Sequence, residues 1–147
     1  MTLHIVFDVD GTLSTHHGPV TPELCFNLRA RNAILWLLSE REDPTEIGLL
    51  RATFKPIGEL PVYAGDNYIS KKRRSLKEFI LTHEKPVVYV GDRAEDFVVA
   101  LLSGAIYCAP SALSEEIFDD VKAGMAFFCG GKCGKKVMFE GHLSGIL

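Results

Sequence analysis

Short apolar runs alternate with helix-like segments along this chain, and that alternation limits the folds open to it. Residues 3–8, 33–38, 61–64, 86–90, 106–108 and 125–129 are apolar or β-branched stretches, too short for helices but sufficient for buried strands. Helix signals lie between them. Thr21, Pro22 and Glu23 supply a hydroxyl cap, a proline at the first helical position and an acid in the first turn, opening a helix expected to end near Arg31. Asp43, with Glu46 three residues later, caps a second helix running to about Ala52. Residues 70–83 carry Leu76, Phe79 and Ile80 at amphipathic spacing. Residues 94–103 predict another helix with Gly104 as its stop, and residues 111–122 one more. Strand then helix, repeated, predicts an α/β fold: a Rossmann-like three-layer sandwich with a mostly parallel sheet and helices on both faces.

The 147 residues suit a single domain spanning 1–147, in which residues 130–147 are expected to form a mobile or subunit-contacting tail. A net charge of −3 argues against a general nucleic-acid surface. No apolar run approaches the roughly 18 residues that a membrane span needs. The N-terminus lacks the basic opening of a signal peptide, so a cytoplasmic location with reduced thiols is expected for Cys25, Cys108, Cys129 and Cys133. Cys129 and Cys133 have no second ligand pair near them in sequence, which argues against structural zinc.

The polar residues that carry chemistry fall where the strands end. The first run closes on Asp8 and Asp10, followed by Gly11 and Thr12. Period two puts both carboxylates on one side of an extended backbone, where like charges repel unless a cation or proton intervenes. A hard divalent ion held by oxygen ligands, most simply magnesium, answers that repulsion. Ser39 ends the second run, Lys71 and Lys72 follow the third, and Asp92 and Asp96 follow the fourth. Ligands of open α/β sheets bind beyond the carboxyl ends of the strands. Metal ligands, a nucleophile, an acid/base and positive groups for phosphate oxygens are the set that phosphoryl transfer needs. Lys72 stands four residues before Leu76 and seven before Phe79, in phase with the buried helix face, which favours it over Lys71.

With these motifs in place, the chain from residue 5 to about residue 110 resembles the haloacid dehalogenase superfamily of phosphohydrolases. Asp8-Val9-Asp10-Gly11-Thr12 fits the first motif, Ser39 the second, a lysine opening a helix the third, and Gly91-Asp92 with Asp96 the fourth. The resemblance implies that Asp8 is the nucleophile and that Asp10 is the general acid and base. It implies magnesium held by Asp8, Asp92 and the Asp10 backbone carbonyl, with Asp96 behind them holding metal-bound water or orienting Lys72. Ser39, with Gly11, Thr12 and nearby backbone amides, would bind the substrate's phosphate, and Lys72 would stabilise its charge. Arg41 is retained from a Ser/Thr-x-Arg pattern and joins the substrate-binding set. Two positions depart from the family: Glu40, where a small residue is usual, and Arg93, where an acid or hydroxyl is common.

The spacing from Asp8 to Ser39 and from Ser39 to Lys72 leaves no room for a cap domain, so the chain resembles the capless members. It is loosely similar to 3-deoxy-D-manno-octulosonate 8-phosphate phosphatase, whose tetramers lay a neighbour's tail over the site. The expected activity is magnesium-dependent hydrolysis of a small phosphorylated metabolite, a sugar phosphate or nucleotide, with a homo-oligomer as one way to cover the site. The alternatives are a phosphatase of a macromolecule, either a phosphoprotein or a nucleic-acid end, and a binding protein that kept the fold without turnover. His16 and His17 read as a solvated loop, with a role in specificity left open.

Overall fold

The computed structural model describes residues 2–62, 68–83, 86–128 and 136–138. Its elements, in chain order, are β1 (Leu3–Phe7), α1 (Pro22–Ala30), β2 (Ala33–Leu38), α2 (Pro44–Phe54), β3 (Gly58–Leu60), α3 (Tyr68–Thr82), β4 (Val87–Val90), α4 (Ala94–Ser103), β5 (Ile106–Cys108), α5 (Ile117–Lys122), β6 (Met125–Phe128) and β7 (Lys136–Met138). One sheet runs in the order β3-β2-β1-β4-β5-β6-β7. Strands β1 to β6 are mutually parallel, and β7 is antiparallel to β6 at the edge. This is the Rossmann-like α/β sandwich that the alternation predicts.

Strand periodicity sorts the core into two layers. Leu3, Ile5 and Phe7 of β1, with Leu35, Leu37, Val88 and Val90, pack against Cys25 and Leu28 of α1, Leu50 and Phe54 of α2, and Ile117 and Phe118 of α5. The intervening side chains Val6, Leu38, Val87 and Tyr89 face Leu76, Phe79 and Ile80 of α3 and Val99 and Ala100 of α4. Helices therefore cover both faces, as a parallel sheet requires. The caps act as expected: the Thr21 hydroxyl accepts from Leu24 N at 3.1 Å, the Asp43 carboxylate accepts from Thr45 N at 3.0 Å, and Gly104 ends α4 at φ 86°.

Three expectations change. The third strand is Gly58–Leu60 rather than residues 61–64. Pro61 has no N–H to continue the ladder, so pairing stops at Leu38↔Leu60, and Tyr63 and Ala64 lie outside the described residues. The helix expected over 111–122 is broken. A 3-10 turn at Pro110–Ala112 precedes α5, and between them the Ser114 hydroxyl accepts from Glu116 N at 3.2 Å, a local bond that competes with helix. In the tail expected to be mobile or subunit-contacting, residues 136–138 form β7 at the sheet edge, whereas Cys129, residues 130–135 (Cys133 among them) and residues 139–147 lie outside the described residues. Among the described residues no helix is long and apolar enough to cross a membrane. The segment between β1 and β2 holds only a 3-10 turn at Ser14–His16 and α1, so no cap domain is inserted there.

Candidate active site

Strand order reverses around β1, which lies between β2 and β4, and the crevice at such a reversal is where ligands of these sheets bind. Asp8 is the first residue beyond β1, and its N–H donates to Val90 O at 2.9 Å, which ties it to the end of β4. Two glycines then let the β4 loop close against it. Gly11 has φ 71°, and a Cβ there would lie 2.0 Å from Asp92 Oδ2. A Cβ on Gly91 would lie 2.5 Å from Asp96 Cγ. Real Cβ atoms do not approach that closely, so both positions need glycine to bring the acids together. Carboxylate oxygens of Asp8, Asp92 and Asp96 lie within 4.8 Å of one another.

Lys72, from the first turns of α3, enters this cluster from the side. Its side chain is 1% exposed. Nζ donates to Asp8 Oδ1 at 2.6 Å and to the Tyr89 hydroxyl at 3.3 Å, and stands 3.8 Å from Asp96 Oδ1. Tyr89 in turn donates to Asp96 Oδ1 at 2.7 Å, and Asp96 Oδ2 accepts the Arg93 backbone N–H at 3.2 Å, reaching back to the start of α4. Asp96 is thus held on both oxygens inside the fold, while Asp92 is exposed. Burial pushes the Asp8 carboxyl above its ordinary value; the Lys72 ammonium opposes this and the Asp96 charge adds to it.

A cleft of about 320 Å³ opens over Asp8 and Lys72, and Asp10, Ser39 and Arg41 share its lining. Glu40 and Arg93 also line it. The Asp10 carboxylate stands on the solvent side and pairs with Arg41, whose other terminal nitrogen pairs with Glu46 of α2. Ser39 Oγ accepts the Arg41 backbone N–H at 3.1 Å, so its lone pair supports the turn while its proton can still be donated. Thr12 is fully buried, and its hydroxyl has no partner among the described residues.

The structure therefore gathers Asp8, Asp10, Ser39, Arg41 and Lys72 around one cleft, and selects Lys72 over Lys71 for contact with Asp8. Asp92 and Asp96 stand beside Asp8, and Gly11 serves their approach. Two members escaped the sequence reading. Tyr89 hid in an aliphatic strand run, although a tyrosine on the α3 side of β4 needs a partner for its hydroxyl. Glu46 read as a helix-cap acid only. His16, read as solvated, places Nε2 3.0 Å from Glu46 Oε1.

The acidic cluster fits a divalent cation. Carboxylate oxygens of three acids converge within 4.8 Å with one ammonium, Lys72, beside them, and oxygen donors suit a hard ion.

No family profile matches the sequence, and no curated protein matches it. Among solved structures, the chain is similar to a protein described as a UDP-N-acetylglucosamine 2-epimerase from Listeria monocytogenes, with a TM-score of 0.48 and 12% identity over 74% of this chain. The match spans 31% of that protein's length.

Proposed function

We propose that this protein is a magnesium-dependent phosphomonoesterase that works through an aspartyl-phosphate intermediate on a small phosphorylated metabolite. The observation that carries the reading is the buried Asp8 carboxylate, fixed by Lys72 on one oxygen, set beside Asp92 and Asp96, and open to a cleft that Asp10 overlooks. With Oδ1 engaged by Lys72, Oδ2 is the atom left to attack phosphorus. The P–O ester bond breaks as the Asp8–phosphorus bond forms, and Asp10 delivers a proton to the departing oxygen. Asp10 then takes a proton from the water that attacks the aspartyl phosphate, releasing inorganic phosphate and restoring Asp8. Lys72 keeps a positive charge against the reacting group throughout, and Ser39 can donate its hydroxyl proton to a phosphate oxygen. Asp8, Asp92 and the Asp10 backbone carbonyl would hold the magnesium ion, which supplies charge neutralisation for the phosphate. Asp96 would steady Lys72 through Tyr89.

The test is hydrolysis of nitrophenyl phosphate. Turnover should require magnesium, stop on chelation, and fall at least about 10³-fold in Asp8→Asn. Activity in that variant equal to wild type would sink the mechanism. Because no cap is inserted between β1 and β2, a phosphorylated macromolecule is the second reading. A much higher kcat/KM on a phosphopeptide or nucleic-acid end than on sugar phosphates would favour it.

A further inference from the structure

Arg41 ties Asp10 to two groups that the catalytic reading leaves unused, Glu46 and His16. Its guanidinium pairs with Asp10 through one terminal nitrogen and with Glu46 through the other. Glu46 accepts from His16 Nε2 at 3.0 Å, and His16 Nδ1 lies 2.8 Å from the Thr15 hydroxyl. The chain of contacts therefore starts in the loop after β1, crosses to α2, and returns to that loop at Asp10. The Arg41–Asp10 pair is exposed at its Asp10 end, and such pairs contribute little to stability, so fold maintenance is a weak reason for holding Asp10 there. Geometry is a stronger one. The Asp10 side chain is 61% exposed and has free rotamers unless something holds it. A general acid must stay within hydrogen-bond reach of the atom it protonates. A planar fork anchored at its far end suits that task better than a flexible ammonium. The third guanidinium nitrogen, Nε, is buried and has no hydrogen-bond partner among the described residues, so the hydrogen bonds that fix the group are those to Asp10 and Glu46.

We infer that Arg41 is a positioning residue: braced by Glu46 and His16, it aims the Asp10 carboxyl at the leaving-group oxygen. This rests on the phosphoester reading above. It differs from the expectation that Arg41 binds substrate phosphate, because a phosphate ligand serves every ester alike whereas an aimed acid serves poor leaving groups most.

The experiment compares kcat/KM for nitrophenyl phosphate, whose leaving group departs with little protonation, and glycerol phosphate, whose alkoxide must be protonated. Arg41→Met should lose about 100-fold on the alkyl ester and less than about threefold on the nitrophenyl ester. In an Asp10→Asn background the same substitution should cause no further ester-selective loss, since the two act as one unit. Glu46→Gln, which leaves Arg41 in place but weakens its brace, should give a smaller selective loss of about tenfold, and it carries the test should Arg41→Met fail to fold. Equal losses on both esters overturn the inference while leaving the phosphatase reading intact. A wild-type protein that hydrolyses neither ester, or that is unaffected by Asp8→Asn, takes down the phosphatase reading and this inference with it.

Discussion

Asp8 is costly to the fold that displays it. Burial raises its carboxyl above the ordinary value despite Lys72, so the folded chain holds that proton more tightly than the unfolded chain does. The sign follows: in metal-free buffer, stability attributable to this group falls as pH rises from the ordinary carboxylate value through the raised one. At neutral pH the ionised form is the less favoured partner of the fold, so Asp8→Asn should raise the metal-free Tm by about 3 °C while abolishing turnover. Magnesium should then raise the Tm of wild type and leave that of the variant nearly unchanged. Differential scanning calorimetry with and without the metal checks both, and a lower Tm in metal-free Asp8→Asn would contradict the charge argument. That Asp8, Asp92 and Asp96 lie near one another was legible from sequence because they follow the apolar runs of β1 and β4, whereas the Asp10 carboxylate, expected beside Asp8, stands on the solvent side with Arg41. Tyr89 was not legible, because its role depends on Lys72 arriving from another element, and no local pattern records that.

At the scale of elements, the β4–α4 junction decides whether the acidic cluster exists. Gly91 admits the Asp96 carboxyl beneath the strand end, and Asp96 then secures Tyr89, Lys72 and the start of α4. Gly91→Ala should therefore displace Asp96, lower stability by about 2 kcal/mol, and weaken magnesium binding together with turnover. Isothermal titration with the metal alone separates these effects, and unchanged affinity would show that Asp96 is not held by that approach. Helix boundaries were readable where a cap residue announced them, as at Thr21, Asp43 and Gly104. The β3 strand was not, because Gly58, Glu59 and Leu60 carry no β-branched side chain and owe their place to pairing with β2 beneath the Trp36 ring. Nor was the break before α5, where Ser114 redirects one backbone N–H.

For the molecule as a whole, the parallel sheet sets what must be finished before the site can form. Strand alternation was enough to read the architecture, because strands buried on both faces leave few other arrangements. The order of the strands follows from packing over long separations and left no local trace. One consequence concerns time. All five residues of β1 are buried, and its two neighbours are β2, which follows closely, and β4, which ends at Val90. A chain made from its N-terminus finishes β2 at residue 38 and β4 at residue 90, an interval of several seconds at roughly 5–20 residues per second. Throughout that interval the flank of β1 that β4 will cover has no partner, and unpaired apolar strand edges invite association with other chains. A fragment of residues 1–83, which stops before β4, should sediment as aggregate where the whole chain stays in the supernatant; a monomeric fragment with protected β1 amides would refute this. The strand that ends at Asp8 is thus also a point of exposure during synthesis, until β4 emerges to cover it.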